Sequence, residues 1–249
     1  MTAVNACGDG RKLHQRRKPE HMAQTEIARF VEELGAIQAG PNTFNPWNTE
    51  TAAGAVCRHN LSLYLHTLFQ RDVRIMLLGE APGYQGCRLT GISFTSEALL
   101  VAGVPTLDIL GESGGYRRVP SDFRLSKEPS ATIVWSTLAE FGVLPVLWPA
   151  FPFHPHRPGD PRSNRPPTSA EVRFGLPIWR RLALVMNIST FVAVGNVGHA
   201  SLAAGGIDAP KLRHPSHGGK PQFVQGIRAL VETLQTSSES RPRHPGKFD

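Results

Sequence analysis

The run Ile75-Met76-Leu77-Leu78-Gly79 passes without a break into Glu80-Ala81-Pro82-Gly83-Tyr84-Gln85-Gly86. An unbroken apolar run of this length reads as a strand buried on both faces, the kind found in parallel sheets. Two more apolar runs follow, at Val143–Trp148 and Thr190–Val194, and a short strand, Lys211-Leu212-Arg213, lies near the carboxyl terminus. Helical stretches separate them. Ile133–Phe141 is one. Another opens at Thr168-Ser169-Ala170-Glu171, a capping box, with a kink or interruption expected near Pro177. A short helix runs to Ala204, and the last helix opens at Pro221 with Phe223, Ile227, Leu230, Val231 and Leu234 inward. Two helices precede the first strand: one capped by Thr25 and stopped by Gly35, the other through Leu61, Leu65, Leu68 and Phe69. Strands alternating with helices imply an α/β fold, a three-layer α/β/α sandwich around a central four-stranded parallel sheet.

In such sheets ligands bind beyond the carboxyl ends of the strands. Two strand ends here are rich in chemistry. The first loop holds Glu80, Pro82, three glycines and Tyr84, and continues to Thr90-Gly91-Ile92-Ser93-Phe94. Glycines let backbone approach a flat ligand closely, and Phe94 offers a face to stack on it. The last strand empties into His214-Pro215-Ser216-His217-Gly218-Gly219. The two loops read as two walls of one site. Asn196, after the third strand, carries a donor and an acceptor on one side chain, as a base edge requires, although a turn after Gly195 suits Asn equally well. Ser216, His217 and Lys220 precede the last helix, whose amino-terminal amides suit a phosphate.

Both loops resemble the signature motifs of the uracil-DNA glycosylase superfamily. Gly79-Glu80-Ala81-Pro82-Gly83 is similar to the first motif in the iron–sulfur branch, and Phe94 stands where that family keeps its base-stacking ring. His214-Pro215-Ser216 resembles the second motif, whose His hydrogen-bonds the leaving uracil. Asn164-Arg165-Pro166-Pro167-Thr168, followed by Glu171, resembles a third segment of that branch. The echoes keep the family's order over residues 74 to 235. The resemblance implies a monofunctional enzyme that flips uracil into a pocket and hydrolyses its N-glycosidic bond in base excision repair, acting on single- and double-stranded DNA as a monomer. It assigns catalysis to His214, donating to uracil O2; Glu80, the only carboxylate in the loop, is the other catalytic candidate. Glu80 either orients water or braces its loop. Gly79, Ala81, Pro82, Gly83, Tyr84, Phe94, Asn196 and His154 form the base pocket, with Ser216, His217 and Lys220 on the DNA.

The chain departs from the family in four places. Ala81 stands where many members place an Asp or Asn. Gly83 stands where the strictest uracil enzymes place a thymine-excluding Tyr, which Tyr84 one residue on would have to replace. Pro149 falls near the Asn that reads uracil, leaving Asn196, His154 or the backbone of Ala150 and Phe151 to do so. His217-Gly218-Gly219 replaces the apolar wedge that enters duplex DNA.

The iron–sulfur branch needs four cysteines, but this chain has Cys7, Cys57 and Cys87, so no cluster and no other cofactor is expected. The histidines at 154, 156, 199, 214 and 217 lack metal-ligand spacing, so no metal is expected. The net charge of +7 suits a polyanion. Of this, +3 lies in residues 1–24 and +1 in 236–249, read as disordered tails around a domain at 25–235. Arg117, Arg118, Arg124 and Lys127, in a long loop from Gly111 to Ser130, either embrace a DNA backbone or are simply solvated. No apolar run spans a membrane and no secretion signal is seen, so a cytoplasmic location is expected.

Overall fold

The computed structural model describes residues 20–121 and 123–239. In chain order the elements are α1 (Glu20–Ala36), β1 (Thr43–Phe44), α2 (Ala52–Gln70), β2 (Ile75–Gly79), α3 (Cys87–Thr90), α4 (Glu97–Ala102) and α5 (Pro129–Phe141). Then come β3 (Val146–Pro149), β4 (His154–Pro155), α6 (Ser169–Val185), β5 (Thr190–Val194), α7 (Gly195–Ala204), β6 (Lys211–Leu212) and α8 (Lys220–Glu239). The main sheet is parallel with order β3-β2-β5-β6. From β2 the chain steps outward to β3, then back across to β5 and β6. With crossovers of the usual right hand, that reversal sends α5 to one face and α6 and α7 to the other. The packing follows this split: α5 lies on α8, and α6 on α7. The three-layer α/β/α sandwich expected from the sequence is therefore the fold.

The core is continuous through the sheet. Trp148 of β3 is fully buried, stacked on Trp47 with ring centroids 5.7 Å apart. Trp179 of α6 packs edge-on against Phe191 of β5 and donates its indole N–H to Ser201 of α7. Burial of large side chains of this kind is worth about 1.5–3 kcal/mol each.

Several boundaries differ from the sequence reading. β3 begins three residues late because Pro145 has no N–H and the Tyr64 hydroxyl donates to the Pro145 carbonyl while accepting from Leu147 N–H. The first helix starts at Glu20, not at Thr25, whose hydroxyl instead donates back to the His21 carbonyl. Ala23, one turn before Ile27 on the same face, is fully buried and draws those residues into the fold. Residues 20–24 thus belong to the folded part rather than to a tail, and α8 likewise runs past 235 to Glu239. The remainder of both expected tails, with Cys7 and the basic cluster at 11–18, lies outside the described residues. α5 starts at Pro129, the favoured first helical position for Pro, rather than at Ile133. α6 continues through Pro177. The Pro-rich stretch after β3, read as irregular, pairs His154-Pro155 antiparallel with Thr43-Phe44. Among the described residues no helix is long and apolar enough to cross a membrane.

α7 sets the geometry of the carboxyl edge, because Gly198 lets its first turn press on the end of β2. A Cβ at Gly198 would lie 2.0 Å from the Leu78 carbonyl oxygen. Gly198→Ala is expected to destabilise the protein by about 1–3 kcal/mol, read as a lowered Tm in thermal unfolding.

Candidate active site

All four strands of the main sheet end at one cleft of about 960 Å³. Glu80 follows β2, Pro149 closes β3, Gly195 and Asn196 follow β5, and His214 follows β6; each lines it. Ala81, Pro82, Gly83, Phe94, Ser216 and His217 line it as well. The two sequence loops are therefore two walls of one site.

The first wall is built around Phe94. Its ring lies over Gly79, where a Cβ would come within 2.6 Å of the ring tip, so only glycine admits it. The Phe94 backbone is left-handed, with φ of 52°, a conformation that costs a bulky residue about 1–3 kcal/mol and recurs at ligand sites. A buried network holds it there. The Thr90 hydroxyl donates to the Thr95 carbonyl at 2.9 Å, the Trp47 indole to Gly91 at 3.1 Å, and Asn60 to Thr90 at 3.0 Å. Asn60 also bonds Arg117 through both its amide and its carbonyl, tying the loop after residue 111 to the same turn. Cys57 is buried, its thiol 3.7 Å from the Leu89 carbonyl. Cys57 and Asn60 hold the segment that aims Phe94.

The motif loop is fixed from below. Ala150 N–H donates to the Gly79 carbonyl and Phe151 N–H to the Glu80 carbonyl, at 3.1 and 3.0 Å. Those two amides are therefore spent, and neither is free to read a base. Tyr84 N–H donates to Asn164 Oδ1 at 2.8 Å, and Arg165 grips Glu171 with both terminal nitrogens, at 2.7 and 2.6 Å. Glu171 also closes the capping box with Thr168. The third sequence echo is thus a brace for the first, and Pro166 from it reaches the cleft.

Three expected pocket residues take other places. His154 is fully buried, its Nδ1 hydrogen donated to the Pro82 carbonyl at 2.8 Å, with burial pushing its pKa down. It supports the loop and does not line the cleft. Tyr84 turns away into a neighbouring groove, so it does not take the place of the missing ring at Gly83. Gly79 is buried beneath Phe94. Lys220 is exposed at the start of α8, and Asn196 is exposed at the cleft edge, its Oδ1 3.4 Å from Lys211 Nζ.

On the opposite wall the His214 ring stands 6.0 Å from the Phe94 ring. Its Nδ1 accepts from Ser216 N–H at 3.2 Å and lies 2.7 Å from the Ser216 hydroxyl. A nitrogen that accepts from a backbone amide carries no proton, so the neutral ring is protonated at Nε2, the other edge. Burial, then the charges of Arg213 and His217, push its pKa below the usual histidine value. His214 is a neutral donor at pH 7.

Several cleft residues escaped the sequence reading, Lys211, Arg213 and Glu128 among them. Glu128, the residue before α5, lays its carboxylate against the glycine loop. A Cβ at Gly83 would lie 3.0 Å from its Oε1, and one at Gly86 2.0 Å from its Oε2. Neither its carboxylate nor that of Glu80 has a hydrogen-bond or ionic partner among the described residues, and burial raises both pKa values. The sequence placed Glu128 in a solvated loop. Its one local signal was its position directly before a proline that opens a helix. Among the described residues no three of His, Cys, Asp and Glu come together as metal ligands.

Two measurements test these electrostatics. By NMR, His214 is expected to titrate below pH 6.5, with its proton on Nε2 in the neutral form. An acid whose folded pKa is raised contributes stability that is full below its unfolded pKa, near 4.5, and is lost as pH rises through the folded one. Glu80→Gln/Glu128→Gln is therefore expected to raise Tm at pH 8, with the gain shrinking towards pH 4.

No protein-family model matches the chain, and no curated protein does. Among solved structures, SMUG2 from Pedobacter heparinus superposes with a TM-score of 0.62 at 16% sequence identity. The match spans 88% of this chain and 99% of that one, and at that identity what the two share is the fold.

Proposed function

We propose that this protein is a monofunctional DNA glycosylase that releases uracil from DNA by hydrolysis, working as a monomer in base excision repair. The observation that carries the reading is the neutral His214, its Nε2–H left unbonded by protein at a cleft walled by Phe94. The resemblance of the Gly79–Gly83 and His214–Ser216 motifs to the uracil-DNA glycosylase superfamily supports it, as does the fold shared with SMUG2.

The flipped base stacks on Phe94. As the bond from C1′ to the base breaks, its electron pair leaves with the base, and positive charge grows on the sugar. Nε2–H of His214 donates to the oxyanion forming at uracil O2. A neutral donor suits this step, because it stabilises the departing anion without handing over a proton. Water bonds to C1′ and gives up a proton. Glu80 and Glu128, both poorly solvated and unpaired, are the carboxylates the cleft offers for it and for the sugar's charge.

A second reading, release of another deaminated base such as hypoxanthine or xanthine, draws on one observation. Pro149 has no amide to read uracil, and the neighbouring Ala150 and Phe151 amides are already bonded. Asn196 at the rim is then the side chain with both a donor and an acceptor. Matched oligonucleotides carrying uracil or hypoxanthine, treated with alkali after incubation, separate the readings by which strand breaks. Breakage at uracil is expected, reduced about a hundred- to a thousandfold by His214→Ala. No breakage at any of these bases, with retained binding, would make the protein a damage-binding module instead.

A further inference from the structure

Beyond Tyr84 lies a second groove of about 980 Å³, whose walls include Tyr84, Arg88, Phe123, Arg124, Lys127 and Arg162. Arg88 is half-buried, its guanidinium 4.7 Å from the Phe44 ring centroid and 5.3 Å from that of Tyr84. Its Nε is buried without a hydrogen-bond partner. Burial and the nearby Arg162 both disfavour its charge, yet no carboxylate among the described residues pairs with it. Arg162 stands 5.6 Å from the ring centroid of Phe123, which is 71% exposed. Among the described residues Arg162 likewise makes no ion pair. The groove's own acid, Glu97, is already engaged by Arg118 at 2.9 Å and by Ser126 N–H at 2.8 Å.

A cation held half-buried between rings, without an anion, is costly unless an anion arrives. Stacked arginines alternating with an exposed aromatic ring suit a ligand that alternates negative charges with flat faces. The groove also adjoins the cleft along the chain: Tyr84 and Lys127 line the groove, and their sequence neighbours Gly83 and Glu128 line the cleft. We propose that this groove holds the single-stranded DNA segment adjoining the flipped nucleotide, with its phosphates on Arg88 and Arg162 and an unpaired base on Phe123. The proposal rests on the glycosylase reading of the neighbouring cleft. A duplex does not fit this role, because its bases are stacked on one another and have no free face for Phe123.

The test is fluorescence anisotropy with the full chain and a labelled, uracil-free single strand, over a salt series. Phe123→Ala is expected to weaken binding about five- to a hundredfold. Arg162→Gln is expected to lower the slope of log Kd against log salt by about 0.7, the value of one phosphate contact on a single strand. Affinity for a blunt duplex should change less than twofold in either variant. Single-strand affinity unchanged in both variants, equal losses on the duplex, or displacement of the strand by polyglutamate at equal charge would overturn the proposal. The probe contains no target base, so binding is read independently of catalysis. Base release by wild type with unaltered binding in the variants removes the groove alone. Weakened binding in the variants without base release by wild type removes the glycosylase reading and keeps the groove.

Discussion

The pairing of β2 with β3 does not stop where the strands stop. Ala150 and Phe151 carry the hydrogen-bond ladder on to the carbonyls of Gly79 and Glu80, so the first residues of the motif loop are held as firmly as the sheet. The first wall of the cleft takes its place from that extension. Glu80 points where the ladder leaves it. Gly79 becomes a floor flat enough for the Phe94 ring, and Pro82 is pinned from beneath by His154. The same bonds cost the site something: two amides beside Pro149 that would otherwise face a ligand are consumed in building its wall.

Charge is partitioned between the two concavities. The cleft holds two carboxylates with no hydrogen-bond or ionic partner among the described residues, a histidine kept uncharged by burial, and Lys211 and Arg213 on its β6 side. The adjoining groove holds Arg88 and Arg162, which have no ion-pair partner among the described residues. A polyanionic strand is drawn to the groove and to the Lys211 and Arg213 side of the cleft, and its phosphates are kept off the two acids. In the proposed reaction, an uncharged base with the incipient cation of its sugar suits the ground beside those acids. Grip and chemistry are thereby assigned to different ground, with Gly83-Tyr84 and Lys127-Glu128 as the two crossings between them.

Local patterns made much of this legible in the sequence. β2, β3 and β5 were readable to within about three residues because parallel strands covered on both faces are uninterrupted apolar runs, whereas the edge strand β6 was marked by the His214 motif it feeds. The capping box at Thr168 and Glu171 was equally plain. Phe94, Glu80 and His214 could be placed in one site because each follows a strand of one sheet. The misreadings concern contacts between segments far apart in sequence. His154 looked like a free imidazole, and only the fold places Pro82 above it. Glu128 looked solvated, and only the fold brings Gly83 and Gly86 against it. Asn60 gave no sign that it ties two loops together. The strand at His154-Pro155 is two residues long and depends on a partner more than a hundred residues away, so no local periodicity announces it.

The closeness of Glu128 to the glycine loop constrains how this chain can change. Any side chain at position 86 collides with the carboxylate, and one at position 83 crowds it. A bulky ring at 83 therefore requires the Glu128 carboxylate to swing away from the glycine loop. Positions 83, 86 and 128 are thereby coupled, and a change at any one alters the space open to the other two.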